Sequence, residues 1–331
     1  MRVLLVIVLA LALSGAGAWL EYRRFSETPI ALSEGPIVVD IPRGTSLQAL
    51  SQRLTDLGLL EHPWFFMALA RLSGQSTRIQ AGEYAVPDGI TPTGLLELFT
   101  SGRVIQYPLT LVEGWTFRQV MEALAAEERL ERAIEDPTPE AVMAQLGQAG
   151  KHPEGRFFPD TYYFTRGSSD LDILRRAYAA MERVLAEEWE TRADGLPIAS
   201  PYEALILASV IEKETGLAPE RAEIAGVFIR RLRLGMRLQT DPTVIYGLGE
   251  SFGGNLRRAD LRNEHPYNTY VHAGLPPTPI ALAGRAAIRA ALNPADGETL
   301  YFVARGDGSH EFSVTLQEHN RAVRKYQLGK P

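Results

Sequence analysis

From Val3 to Leu20 no charged residue interrupts the chain, and Arg2 stands directly before the run. Eighteen residues in a helix rise about 27 Å, close to the thickness of a bilayer's hydrocarbon core. The pattern predicts a membrane-spanning helix over residues 3–20, inside an anchor and flank at 1–24, with a linker at 25–35. Arg2 and the amino terminus lie on one side of this segment. On the other, Arg23 and Arg24 are offset by Glu21 and Glu27. That bias orients a single-pass protein of the cytoplasmic membrane with its N-terminus inside and its body outside, in the periplasm. Ala16-Gly17-Ala18 also fits a leader-cleavage site, so a removed signal peptide is the competing reading.

Beyond residue 36 the apolar spacing changes to short units. Ile41-Pro42-Arg43-Gly44-Thr45-Ser46 leads into Leu47, Leu50 and Leu54; Val86-Pro87-Asp88-Gly89-Ile90-Thr91 leads into Leu95, Leu96 and Phe99; and Val112-Glu113-Gly114-Trp115-Thr116 leads into Phe117, Val120 and Leu124. Each unit reads as an extended run, a glycine turn, a Ser/Thr N-cap and an amphipathic helix. One such unit cannot bury its own apolar face, so the first two or three are expected to pack together, giving a small α+β region at 36–105. Its pattern resembles LysM-type glycan-binding modules, and a plain structural spacer fits it equally. Glu83 and Tyr84 read as exposed turn residues. The third unit opens a larger region at 106–331. The fold class expected is therefore α+β: one N-terminal transmembrane helix, a small LysM-like subdomain and a larger, mostly helical domain.

Within the larger region, residues 154–164 run Glu-Gly-Arg-Phe-Phe-Pro-Asp-Thr-Tyr-Tyr-Phe. Such a loop can plug a core, or it can offer Phe158 and Asp160 to the wall of a saccharide groove, where flat rings stack on sugar faces. A sharper feature begins at Ser200. Ser200-Pro201-Tyr202-Glu203 has the form of a capping box with proline at N1. The following run, Ala204 to Ile211, is apolar on all sides and so is expected to be buried. It ends in Glu212-Lys213-Glu214-Thr215, with Gly216 as the expected terminator.

This core helix delivers two carboxylates to its C-terminal end, about 200° apart around the axis. Glu214 continues the stripe of Leu207, Val210 and Ile211, which places it against the core. Partial desolvation and the negative end of the helix dipole both disfavour its ionisation. A carboxyl group kept protonated near neutral pH is what a general acid requires. Glu212 reads as the helix-end partner of an arginine or lysine.

Downstream, a helix is expected from Pro219 through Leu232, with Arg230, Arg231 and Arg233 on a polar face and Gly235 ending it. The polar turn Gln239-Thr240-Asp241 before Pro242, then Tyr246, Tyr267, Asn268 and the Gly274–Pro279 loop, supplies hydroxyls, amides and ring edges suited to sugars.

Composition narrows the classes. Net charge is −6, and no long basic run argues for nucleic acid. The chain has no cysteine, which excludes disulfides and a cysteine-linked lipid anchor. A His-Glu-x-x-His helix and a Gly-x-Ser-x-Gly elbow are both absent, so neither a zinc peptidase nor a serine hydrolase is indicated. His310 and His319 read as structural.

Taken together, Glu154-Gly155 with Phe158-Pro159-Asp160-Thr161, Ala208–Thr215, Arg237–Gly247, Tyr267–Tyr270 and Gly274–Pro277 resemble the endolytic murein transglycosylase family, the YceG-like proteins. The resemblance spans nearly the whole chain. It implies a peptidoglycan lytic transglycosylase that cuts nascent glycan strands between MurNAc and GlcNAc and leaves 1,6-anhydroMurNAc ends. It also implies peptidoglycan synthases as partners. The second glutamate of the Glu-Lys-Glu-Thr motif, Glu214, corresponds to the family's catalytic residue, in agreement with the stripe argument.

The implied chemistry uses no metal and no cofactor. Glu214 protonates the departing oxygen and then serves the C6 hydroxyl that attacks C1, so one carboxylate suffices where glycosidases ordinarily use two. Gln239, Thr240 and Asp241 are expected to orient the sugar or hold Glu214. Two alternatives remain at this level: a hydrolytic muramidase with Asp241 as second carboxylate, and a non-catalytic wall-binding scaffold.

Overall fold

The computed structural model describes residues 2–32 and 35–329, and within the first helix the side chains of residues 4, 5 and 7–27. The chain divides into two compact units, one of residues 1–107 with 163–167 and one of 108–162 with 168–331.

The first element is a helix, α1 (Arg2–Glu27). Among the described residues, however, no helix is long and apolar enough to cross a membrane. The charge-free run ends at Glu21, with Arg23 and Arg24 just beyond. Val3 and Val6, which the expected span requires, have side chains outside the described residues. The transmembrane helix at 3–20 is thereby corrected. The single-pass topology, the membrane as a partner through residues 3–20, and the placement in the cytoplasmic membrane with a periplasmic body fall with it. The end of α1 is instead built into the first unit. Tyr22 and Phe25 pack on its core, Phe25 stacks on Phe65 at 5.2 Å, and Thr93 Oγ1 donates to Ser26 O at 2.9 Å.

The rest of the first unit is β1 (Ile37–Ile41), α2 (Leu47–Asp56), α3 (Pro63–Leu72), β2 (Gly82–Val86) and α4 (Pro92–Thr100). β1 and β2 pair antiparallel with Val39 opposite Tyr84. The two strand-turn-helix units are present, with Ser46 capping α2 and Thr91 capping α4 through their side-chain oxygens. Gly44 and Gly89, at φ 80° and 74°, supply the left-handed turn residue each needs. Their apolar faces meet in one core containing Leu50, Leu54, Phe66, Leu95 and Phe99.

Tyr84 and Glu83 are not exposed turn residues, because they lie in β2. Tyr84 is fully buried and its hydroxyl donates to the carbonyls of Gln80 and Phe99. Glu83, 5% exposed, accepts from Arg166 Nε at 2.6 Å and Tyr107 OH at 2.9 Å.

The second unit is mostly helical. From residue 107 on, the elements in chain order are β3 (Tyr107–Thr110), α5 (Phe117–Ala126), α6 (Pro139–Gln145), β4 (Thr161–Phe164), α7 (Asp170–Glu190), α8 (Pro201–Glu214), α9 (Arg221–Arg233), α10 (Asp241–Leu248), α11 (Arg285–Leu292), β5 (Tyr301–Ala304), β6 (His310–Ser313) and α12 (Leu316–Tyr326). β3 pairs with β4 and β5 with β6, the latter antiparallel. α8 is the central rod, packed against α7, α9, α10 and α11. Every residue from Ala204 to Ile211 is buried, as a helix apolar on all sides requires. The mixed α+β architecture with a large, mostly helical part is thus the observed one, without the membrane helix.

Candidate active site

The site is set by where α8 begins and ends. Ser200 Oγ accepts from Glu203 N at 3.2 Å, while the Glu203 carboxylate reaches one residue further back than a capping box, to Ala199 N at 2.7 Å. Midway along, the hydroxyl of Ser209 donates to Ile206 O and accepts from Ile280 N at 2.9 Å. That bond fixes α8 against the segment leading to α11. At the far end the helix stops at Thr215, whose extended backbone (φ −144°, ψ 135°) turns the chain away. Gly216 is not the left-handed terminator expected. The buried Thr215 hydroxyl instead accepts from Leu217 N at 3.0 Å.

Glu212 and Glu214 leave this end in different directions. Glu212 Oε2 accepts from Gly284 N at 2.9 Å, and Oε1 lies 3.6 Å from Arg221 Nη2. Burial, with Glu113 nearby, pushes the Glu212 carboxyl above its ordinary value against those two partners. It holds the helix end to its neighbours. Glu214 is half-buried and lines a cavity of about 510 Å³ shared with Arg231, Gln239, Asp241, Tyr270 and His310.

The loop that faces Glu214 is shaped by a hydroxyl network. Thr240 Oγ1 donates to Glu214 Oε1. Thr240 N donates to Thr269 Oγ1 at 3.1 Å, and the Thr243 hydroxyl meets Thr240 O and Thr269 Oγ1, both at 2.8 Å. Gln239, just before, has φ 51°, the only positive φ outside glycine among the described residues, and its N–H donates to Thr269 O. Non-glycine residues held in this region cost about 1–3 kcal/mol and persist where the surroundings force them. The forced turn presents the exposed Gln239 side chain and Asp241 to the cavity. Asp241 Oδ1 accepts from Tyr270 OH at 2.6 Å.

The carboxyl of Glu214 is raised to about 7. Burial is the main cause and the Asp241 charge adds to it, while the Thr240 hydrogen bond and the charges of His310 and Arg231 pull the other way. Arg231 is 7% exposed and not on a solvated face. Its Nε donates to Leu300 O at 2.7 Å and its Nη1 to Leu238 O at 2.8 Å. A second carboxyl, Glu154, is also raised to about 7 by burial. Gly155 beside it has φ 75° and sits so close to the Pro279 ring that a Cβ would collide. That turn aims Glu154 inward, where Phe117 N donates to Oε1 at 2.9 Å and Tyr246 OH to Oε2 at 3.0 Å.

The structure therefore sorts the expected site residues into two groups. Glu214, Gln239, Thr240 and Asp241 come together. Glu212, Tyr246, Tyr267, Asn268, Phe158 and Asp160 do not line the cavity. Tyr246 holds Glu154, and Tyr267 OH meets Thr278 Oγ1 at 2.7 Å. Asn268 is buried and ties Asp260 O and Asn263 O to Tyr270 N. Phe158 packs on the core cluster and Asp160 is exposed, its Oδ1 accepting from Thr161 N. The aromatic loop is a core plug, with Phe157 fully buried against Phe117.

Three residues gathered here were not picked out beforehand, Arg231, Tyr270 and His310, and neither was the second raised carboxyl, Glu154. Tyr270 and Glu154 lie inside quoted motifs, so the motif was the available signal. Among the described residues, no group of three or more His, Asp or Glu is placed to hold a metal ion.

Residues 39–325 match the YceG-like family. The chain is 32% identical to the endolytic murein transglycosylase of Bacillus subtilis, over 95% of this chain and 91% of that protein. It is 28% identical to that of Streptococcus pneumoniae, over 97% of this chain but 64% of the longer streptococcal protein. A crystal structure of a YceG-like protein from Listeria monocytogenes is similar at a TM-score of 0.54 and 31% identity, covering 86% of this chain and 98% of that one.

Proposed function

Because the chain belongs to the YceG-like family, we propose that it is an endolytic murein transglycosylase cutting the MurNAc–GlcNAc bond to leave a 1,6-anhydroMurNAc end. The observation that carries the reading is Glu214. It is a carboxyl raised to about 7 on the wall of an open cavity, with one oxygen steadied by Thr240. At neutral pH a good fraction of Glu214 is protonated and can donate to the oxygen leaving C1. The C6 hydroxyl of the same MurNAc then forms the new bond to C1. Its proton passes to the Glu214 carboxylate, which restores the acid. Attack from within the ring replaces a water or enzyme nucleophile and gains from enforced proximity. The exposed Gln239 amide and the half-buried Tyr270 hydroxyl around the acid suit a neutral, hydroxyl-rich ligand.

Asp241 supports a second reading. It shares the cavity with Glu214 and could serve water as a base, making the enzyme a hydrolytic muramidase. Mass spectrometry of products from isolated glycan, made in heavy-oxygen water, separates the two. The transglycosylase yields new MurNAc ends lighter by one water than reducing ends and free of heavy oxygen. Heavy oxygen at the new C1 would establish hydrolysis, and intact strands would leave only the non-catalytic alternative. Internal fragments several disaccharides long are expected; release of single disaccharides alone would overturn the endolytic character.

A further inference from the structure

His310 begins β6 far along the chain from the helix end that carries Glu214, yet it lies on the wall of the same cavity. Its placement is fixed from behind. The Glu220 carboxylate, just ahead of α9, accepts the His310 backbone N–H on Oε1 at 2.9 Å and meets the ring Nδ1 with Oε2 at 2.7 Å. The ring packs against Phe302 (centroids 5.4 Å, near-perpendicular) and Phe312 (6.4 Å). A carboxylate can only accept, so Nδ1 carries the hydrogen, and in the neutral ring Nε2 holds the lone pair. Nε2 has no partner among the described residues and is not sealed from solvent. This differs from His319 on the same wall, whose Nδ1 is both unpaired and inaccessible.

The other polar groups of the cavity show what Nε2 adds. Arg231 can only donate. One oxygen of Asp241 is taken by Tyr270 and one of Glu214 by Thr240. A saccharide brings many O–H donors and acetamido N–H donors, and a pre-aimed imidazole acceptor is a receptor for one of them. Resting on the glycan-cleaving reading above, we propose that His310 is a substrate-contacting residue, its Nε2 accepting a hydrogen bond from a sugar hydroxyl or acetamido N–H while Glu220 sets the tautomer. The C-terminal hairpin is then one wall of the saccharide site.

The test uses the full chain and glycan strands stripped of peptide. In the E214Q background, where turnover is blocked, H310N is expected to weaken glycan binding three- to tenfold, the value of one neutral hydrogen bond. With Glu214 present, H310N is expected to raise KM by the same factor and to change kcat little. The Asn amide still donates to Glu220, so melting is expected to be unchanged. H310Q extends an acceptor towards the lost Nε2 position and is expected to recover part of the affinity. The nitrogen-15 imidazole spectrum of the E214Q protein gives a reading independent of the His310 variants' folding. The His310 Nε2 signal is expected to shift when glycan is added. Wild-type binding by H310N, or an Nε2 signal indifferent to glycan, would overturn the proposal while leaving Glu214 in place. Absence of any glycan binding by E214Q would overturn both readings.

Discussion

The end of α8 and the turn at Glu154 each bury a carboxyl group whose pKa rises to about 7. Their surroundings diverge. Glu154 is 4% exposed and both oxygens are engaged, one by Phe117 N and one by Tyr246 OH. It ties α5, the 154 turn and α10 together and has nothing left to offer a ligand. Glu214 has one hydroxyl partner and an open cavity beside it. A raised pKa is therefore compatible with a structural pin and with an acid catalyst, and the free oxygen facing space separates them.

The largest test of that contrast is Glu214→Gln, expected to lower strand cleavage by about 10²–10⁴-fold, the usual worth of a positioned acid. Product analysis by mass spectrometry reads it directly, and wild-type turnover would return Glu214 to the structural class. In the wild type, kcat/KM is expected to fall as pH rises through about 7, because the acid form is lost.

The same shift has a stability consequence of opposite sense. A carboxyl raised from 4.5 to about 7 on folding costs nothing below pH 4.5, where it is protonated in both states; the cost grows between about pH 4.5 and 7 and is constant above. E214Q is therefore expected to melt higher than wild type at pH 8 by up to about 3 kcal/mol of stability, and to match it at pH 4. Calorimetry at the two pH values checks this; a difference independent of pH would mean that Glu214 is not desolvated.

Glu212→Gln is expected to reduce stability by about 1–2 kcal/mol through its Arg221 and Gly284 contacts, with turnover within about threefold. A larger catalytic loss at unchanged melting temperature would exchange the roles of the two glutamates.

The finest cut removes one hydroxyl from each side of the comparison. Thr240→Val takes away a bond that favours the ionised form of Glu214, so the alkaline limb of the pH–rate profile is expected to move up by roughly half to one unit. Tyr246→Phe removes the equivalent bond from Glu154 and is expected to cost about 1 kcal/mol of stability while leaving the profile where it was. A shifted profile in Y246F would join Glu154 to the chemistry.

Much of the site was legible because it depends on local pattern. The capped, wholly apolar run of α8 and the stripe that carries Glu214 inward follow from helix geometry, and Gln239 to Asp241 stood out as a polar turn before a proline. What escaped depends on distant chain. Arg231 at helical spacing among arginines reads as solvated, and it is buried because the carbonyls of Leu238 and Leu300 close on it. His310 reads as an isolated histidine because its anchor, Glu220, lies 90 residues away in sequence. Phe158 and Tyr267 carried the right chemistry for sugar stacking, and packing claimed them instead. Tyr84 shows the same limit in the first unit: beside Glu83 and a glycine it resembles a turn, and only the pairing of β2 with β1 reveals it as core. The expected membrane span is a separate departure: among the described residues no helix is long and apolar enough to cross a membrane.

The first unit is not a continuous stretch of sequence, for it includes residues 163–167. Anyone dissecting this protein into expressible pieces meets that fact at once. A fragment ending at residue 107 would lack Arg166, the cation that grips the buried Glu83. Glu83 would keep its bond from Tyr107 OH and lose its cation. Such a fragment is expected to melt lower than the same unit carrying the five residues encoded far downstream. Grafting that short segment back through a flexible connection, or replacing Glu83 with glutamine, is the rational repair.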